Sequence, residues 1–300
     1  MDIDTGWPPV ATDEEYQAAD LLPGVRRLCR SLGVNASNPV RYATGSLPVF
    51  ALGDLVLKLF VPECAEDARI EAGVLEAVAG RLPVPTPRVH HAGLHDGWGY
   101  VVMDRLAGRP LLEVWPAATP SRRDSIAGQL GEMIAALHGL PAPEIDGWFP
   151  DGWDAFVAAQ SRVCVAHQRQ RRLAEHWLAQ IPEFLRDVPL DNSPALLHTE
   201  INGEHLYVDD DWRLSGLLDF ETAMRGARGY EFVAPGLFLA DGDSRFLSRL
   251  YAAYGRAVPP LELMAWTLLH RYSSLASYLR RLPEPPEPTL DALAERWFGT

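Results

Sequence analysis

The stretch from 198 to 221 gathers the side chains best suited to chemistry. His198–Thr199–Glu200 is followed, after four residues, by His205, then by Asp209–Asp210–Asp211, which reads as a hairpin turn, then by Asp219–Phe220–Glu221. Two carboxylates brought to one edge by a loop and a hairpin suit phosphoryl transfer. One orients an acceptor hydroxyl and takes its proton, and the other holds a divalent cation that bridges phosphates. Apolar pairs (Leu196 and Leu197, Leu206 and Val208, Leu217 and Leu218) would pin this loop to a core. Upstream, Lys58 stands in the apolar run LVLKLF. A lysine there either snorkels to solvent or reaches phosphate oxygens, with Glu71 or Glu76 of the following segment as its partner. The turn Ala43–Thr44–Gly45–Ser46 offers backbone N–H and hydroxyl donors to phosphate, or is an ordinary hairpin turn.

These residues need elements to carry them. Residues 13–32 have the spacing of an amphipathic helix interrupted at Pro23–Gly24. Residues 40–60 hold short apolar runs separated by Gly53–Asp54, a hairpin dipeptide. Helical spacing returns over 66–80, with Ile70, Val74, Leu75 and Val78 on one side. LPVPTPRV cannot lie inside a helix, because its prolines remove donors. GWGYVVMDRL reads as a strand ended by Gly108–Arg109–Pro110. The spacing then predicts an amphipathic helix over 121–138 (Ile126, Leu130, Ile134, Leu137) and largely helical structure over 154–186. A strand–loop–strand–turn–strand unit follows through the 198–221 region. Helix returns over 232–282, including the long stretch LELMAWTLLHRYSSLASYL, which shows no cap, and a last short helix follows the stiff PEPPEP segment. A β-rich half followed by a helical half suggests two lobes with a cleft between them, a favoured place for ligands.

The chain has 300 residues, is 47% hydrophobic and carries a formal net charge of -13 with a pI near 5.1. Such a surface repels phosphate backbones, which argues against nucleic acid as a partner, and attracts cations. Cys29, Cys64 and Cys164 are widely separated and make no metal-ligand spacing, so reduced thiols in a cytoplasmic protein are expected. The acidic N-terminus has no apolar signal region, and no run approaches the length of a membrane span. Nothing in the sequence points to an obligate protein partner.

With these motifs in place, the chain resembles the aminoglycoside phosphotransferase superfamily, which includes the macrolide and hygromycin-type kinases. That family's loop reads H-G-D-x-x-x-x-N with a later I-D-F or I-D-W. The segment EAGVLEAVAGRLPVPTPRVHHAGLHDGWGYVVMDRLAG is similar to its αC-to-hinge region, and the likeness runs from Val40 to Glu231. The resemblance implies an α+β, two-lobed protein-kinase-like fold: an N-terminal lobe over 1–103, a hinge over 104–108, and a helical C-terminal lobe over 109–300. It implies ATP or GTP as phosphoryl donor, with Mg²⁺. Thr44, Gly45 and Ser46 would cover phosphate, and Lys58 paired with Glu71 would position it. The backbone of Asp104 and Leu106 would meet the purine, and His205 and Asp219 would hold the metal. Glu200 would be the catalytic carboxylate, and His198 would tie its loop together by hydrogen bonds.

Three departures stand out. Glu200 replaces the family's aspartate, and a misplaced reacting group costs on the order of 10²-fold in rate. His205 replaces asparagine, as it does in macrolide phosphotransferases, although hard cations prefer oxygen. Gly226–Ala227–Arg228 stands where the family has G-D-P, with Glu231 at the position of a following aspartate. Acidic candidates for a cationic or natural-product-like small molecule are Glu204, Glu221, Glu231, Asp241 and Asp243. Aromatic candidates for an apolar pocket are Trp148, Trp153, Trp177 and Trp266. The leading expectation is a kinase for a hydroxyl of an aminoglycoside-like or macrolide-like antibiotic. The alternatives are a nucleotide- or ligand-binding pseudokinase and a metabolic kinase for an endogenous alcohol.

Overall fold

The computed structural model describes residue 7 and residues 19–35, 38–43, 45–145 and 151–300. The α+β chain divides into two compact units, Met1–Ala79 with Thr86–Leu106 and Gly80–Pro85 with Ala107–Thr300. No described helix is long and apolar enough to cross a membrane.

The first unit is built on an antiparallel sheet of β1 (Val40–Arg41), β2 (Val49–Leu52), β3 (Leu55–Phe60), β4 (Val89–His95) and β5 (Trp98–Asp104), in the order β1-β2-β3-β5-β4. Gly53 has φ 75°, the left-handed conformation that a tight hairpin turn asks of its first central residue. Side chains alternate across β3. Leu57 and Leu59 pack with Phe50, Leu52, Trp98 and Val102 beneath helix α1 (Leu22–Leu32), whose Val25 and Leu28 complete that core. The opposite face receives Lys58 and helix α2 (Asp67–Val78), which lies against β4 and β5.

Two expectations change here. Residues 13–18 lie outside the described residues, and the helix expected over 13–32 runs over Leu22–Leu32. Pro23 opens it rather than interrupting it, because an N–H in the first turn has no acceptor within the helix anyway. Strand β4 was not anticipated. It is the sheet's edge, its residues are largely exposed, and VHHAGLH therefore lacks apolar alternation.

The second unit contains α3 (Pro120–Gly139), α4 (Gly152–Gln170), α5 (Ser244–Tyr254), α6 (Pro260–Leu269) and α7 (Leu290–Phe298). All four apolar residues expected on one side of α3 are buried. Strand β6 (Arg109–Pro110) pairs with the hairpin β8 (Leu206–Val208) and β9 (Leu214–Leu217), while β7 (Pro194–Leu197) pairs with β10 (Met224–Ala227). The strand–loop–strand unit thus feeds two ladders. The run 261–279 is not one helix: α6 stops at Leu269, and a short helix resumes only at Leu275–Leu279. The break has a polar cause. His270 Nε2 donates to the Thr199 carbonyl at 3.3 Å, and Gln168 of α4 pins the far side through Ser273 Oγ (2.8 Å) and the Leu275 amide (2.9 Å).

The β8–β9 turn is clamped from outside. Gln129 of α3 donates to the Trp212 carbonyl at 3.1 Å and accepts from the Leu214 amide at 2.8 Å, acting as a short stretch of strand. His205 and Asp219 stand at the two open ends of this hairpin. Gln129→Leu is expected to destabilise the protein by about 1–3 kcal/mol, since two backbone groups lose their partner. Urea denaturation would show it, and an unchanged midpoint would refute the clamp.

Candidate active site

Each unit carries its own cluster. In the first, Glu71 sits within the inward stripe of α2 formed by Ala68, Ala72, Leu75 and Val78. A carboxylate there requires a cation, and Lys58 Nζ lies 2.8 Å from Glu71 Oε2, both side chains being almost wholly buried. Glu76 is exposed on the other side of the helix, so Glu71 is the partner of Lys58. Lys58→Met is expected to cost about 3 kcal/mol in unfolding free energy, because it strands a buried carboxylate. Adding Glu71→Leu should restore most of the loss, and additive losses would overturn the pairing.

Gly45, with φ 116°, and Ser46 lie in the loop between β1 and β2, and Thr44 lies outside the described residues. Asp104 donates its amide to the Arg88 carbonyl at 3.0 Å, and its carboxylate meets His90 Nε2 at 2.6 Å. The Leu106 amide has no partner among the described residues.

In the second unit the loop after β7 is closed by a ring of hydrogen bonds. His198 Nε2 donates to the Leu218 carbonyl at 2.7 Å, and its Nδ1 accepts from the Glu200 amide at 3.3 Å. The Leu218 amide donates to the His205 carbonyl at 2.9 Å, and His205 Nδ1 donates to the Glu200 carbonyl at 2.8 Å. His198 is fully buried against Phe220, with ring centroids 4.6 Å apart. Burial, and then the neighbouring His205, lower its pKa to about 4. Both ring nitrogens are spent on the backbone, so His198 ties the loop and has no proton to move.

His205, Asp219 and Glu200 are brought together by this ring. His205 Nε2 is 3.1 Å from Asp219 Oδ2. Burial alone would lower the pKa of His205, but the hydrogen bond and charge of Asp219 outweigh it and hold the imidazole above its ordinary value. Glu200 is half-buried and its carboxyl is raised, chiefly by burial, with the charges of Asp219 and Glu221 adding to the effect against the lowering influence of His205. A carboxylate raised toward neutrality is a better proton acceptor than a solvated one. The fit to a small cation is testable on the donor set. The Glu200 carbonyl takes the Nδ1 proton and leaves Nε2 facing the Asp219 carboxylate; on giving up its proton to an incoming cation, Nε2 would present a lone pair beside that carboxylate, and a ligating histidine is oriented in this way.

Beneath the loop lies the residue that the resemblance set at the position of a family aspartate, in a stretch expected to bear on loop stability. Glu231 is completely buried and accepts the amides of His198 (2.7 Å) and Thr199 (2.8 Å) on its two oxygens. His138 Nε2 lies 3.6 Å from the same carboxylate, and His138 Nδ1 meets the Tyr254 hydroxyl at 2.8 Å. Glu231 is therefore occupied with the backbone. Two further acidic candidates are also engaged: Asp241 pairs with Arg281 at 2.5 Å, and Asp243 caps α5. Glu204 is exposed and Glu221 half-buried. Among the aromatic candidates, Trp148 lies outside the described residues, and Trp177 and Trp266 are core. Trp153 lines a cavity of about 710 Å³ with the charged Asp151, Asp154 and Arg225, at the end of β7 away from Glu200. Sequence reasoning missed Tyr272, which is 49% exposed and stands just past the His270 anchor with Arg271 over its ring, 5.3 Å from the centroid.

The family model described as the phosphotransferase enzyme family matches residues 29–266. The chain belongs to that family. Its fold is shared by solved phosphotransferases. The GDP complex of wild-type aminoglycoside 2'-phosphotransferase-IIIa is 18% identical, with a TM-score of 0.68 over 86% of this chain and 96% of that one. The apoenzyme of macrolide 2'-phosphotransferase MphH from Brachybacterium faecium is 20% identical, with a TM-score of 0.62 over 91% and 99%. The streptomycin–ATP ternary complex of APH(2'')-IIa is 14% identical, with a TM-score of 0.61 over 83% and 90%. No curated protein matches the sequence. As a member of the phosphotransferase enzyme family, the chain is a phosphotransferase for hydroxyl acceptors, and its departures at Glu200 and His205 are read within that chemistry.

Proposed function

We propose that this protein transfers the γ-phosphate of ATP or GTP to a hydroxyl of a natural-product antibiotic in the cytoplasm, conferring resistance. The observation that carries the reading is the grouping of Glu200, His205 and Asp219 on one hydrogen-bonded loop and hairpin. Lys58, held by Glu71, positions the phosphates, and the Leu106 amide meets the purine. Asp219, with His205 beside it, would hold Mg²⁺, which would supply charge neutralisation at the phosphate oxygens. Glu200 orients the acceptor hydroxyl and accepts its proton as the acceptor oxygen bonds to the γ-phosphorus. The bond from that phosphorus to the bridging oxygen breaks, and the nucleoside diphosphate leaves with the electron pair.

Of the two acceptor types, the macrolide-like one fits better. A polycationic amino sugar calls for several uncommitted carboxylates, and Glu231, Asp241 and Asp243 are all engaged. The side chains following the His270 anchor are instead an arginine and a half-exposed tyrosine. A second reading, a pseudokinase that binds nucleotide or ligand without turnover, draws on the replacements at Glu200 and His205.

The decisive experiment is mass spectrometry of macrolides, aminoglycosides and endogenous sugars and amino-alcohols, each incubated with the protein, Mg²⁺ and ATP or GTP. A macrolide gaining one phosphoryl group supports the proposal. Modification of the metabolites alone replaces it with a metabolic kinase, and tight nucleotide binding with no product replaces it with the pseudokinase.

A further inference from the structure

Thr199 is a buried, β-branched residue with φ 75°. Left-handed backbone is a true outlier for such a side chain and persists only where the surroundings impose it. The backbone contacts do not explain a threonine. Its amide on Glu231 (2.8 Å) and its carbonyl beneath His270 (3.3 Å) would be kept by glycine, the residue in the family's loop pattern. What the side chain adds is a contact with Thr222: Thr199 Oγ1 lies 3.0 Å from Thr222 Oγ1 and 3.2 Å from its carbonyl.

Thr222, also buried, stands 3.3 Å from Glu200 Oε2 through the same hydroxyl, with the His198 carbonyl as a second acceptor at 3.3 Å. Each hydroxyl has a single proton to give. If Thr199 donates to Thr222 Oγ1, the Thr222 proton is left for the Glu200 carboxylate or the His198 carbonyl, both at 3.3 Å; the ionised carboxylate is the stronger acceptor, and aligned hydroxyls strengthen one another. A glutamate has one more torsion to hold than the aspartate of the family's loop. The hydroxyl pair stands where it restrains that extra freedom.

We propose that Thr199 and Thr222 act together as positioning residues for the carboxylate of Glu200, and that the backbone strain at Thr199 is retained for that purpose. This rests on the reading of Glu200 as the proton-accepting carboxylate.

The test uses the full chain with Mg²⁺ and ATP or GTP, water serving as acceptor, and reads kcat and nucleotide KM separately. Thr222→Val is expected to lower kcat about 10- to 100-fold with KM within about 2-fold, as for a misplaced reacting group. Thr222→Ser, which keeps the hydroxyl, should stay within about 3-fold of the parent. Thr199→Gly should relieve strain and raise the melting midpoint by about 2–4 °C, yet lose about 10-fold in kcat. On a Glu200→Gln background none of these changes should lower kcat further. Parental kcat in Thr222→Val or Thr199→Gly, or equal losses on the Glu200→Gln background, overturns the proposal. A Glu200→Gln protein as fast as the parent overturns the parent reading instead and takes this one with it. Crystal structures give a readout that needs no turnover. The Glu200 carboxylate should leave its place in Thr222→Val and keep it in Thr222→Ser, and an unmoved carboxylate in Thr222→Val also overturns the proposal.

Discussion

Glu200→Gln is expected to lower turnover by about 10²- to 10⁴-fold, the range for loss of a positioned general base. The substitution preserves side-chain length and can still accept the Thr222 hydroxyl on its amide oxygen, so folding and nucleotide affinity should hold. What is lost is the capacity to take a proton. Glu200 is suited to that task because burial and the neighbouring carboxylates raise it, while its own amide and carbonyl are fixed by His198 and His205. Steady-state kinetics with the acceptor identified by mass spectrometry would measure kcat and KM separately. A rise in KM alone, with turnover within about 3-fold of the parent, would show that the carboxylate is not the base.

The second large effect is loss of stability in acid. His198 and His270 are both buried and held neutral, each with its pKa lowered by burial to about 4 from an ordinary 6.5. In the unfolded chain both take a proton near pH 6.5, whereas the folded protein refuses it until about pH 4. Between those values the unfolded state binds more protons, so stability is full above pH 6.5 and falls as pH drops through the window. Each histidine is worth on the order of 3 kcal/mol across it, at about 1.36 kcal/mol per pKa unit. His205 is held above its ordinary value by Asp219 against the effect of burial, so it does not share in this fall. Glu200 and Glu262, raised by burial, oppose the slope at its acid end, since they take up protons more readily in the folded state. Urea midpoints measured from pH 7.5 to 4.5 would show the fall. His270→Gln, which keeps a donor to the Thr199 carbonyl, should reduce the slope by about 1 kcal/mol per pH unit between pH 6 and 5. An identical slope in both proteins would mean that His270 is not held neutral.

These two effects depend on residues of unequal visibility in the sequence. Glu200, His205 and Asp219 were legible because they are near in the chain and share a recognisable spacing. Lys58 was legible because a lysine in an apolar strand demands a partner. Glu231 was visible only through the family resemblance, and His270 and Thr222 carried no signal at all. Each acts on the 198–200 loop from 22 to 71 positions away, through a hydrogen bond that no local pattern records. The run 261–279 misled for the same reason: its helical periodicity is unbroken, and only the attachment of His270 to the Thr199 carbonyl explains why the helix stops.

The sequence by itself determined the order of elements, the hairpin at Gly53, the family resemblance and the carboxylates available for catalysis. All of these follow from short-range periodicity, turn chemistry and spacing along the chain. The resemblance pointed to Glu71 over Glu76 as the partner of Lys58, and the tertiary structure sets the two 2.8 Å apart; only that structure decided that Glu231 supports the 198–200 loop instead of binding a ligand. It also showed that a threonine at a left-handed position has a partner beside Glu200. Such choices depend on which buried polar groups meet across the core. An unpaired one costs several kcal/mol, so the fold settles each pairing, but only once distant segments have been packed together.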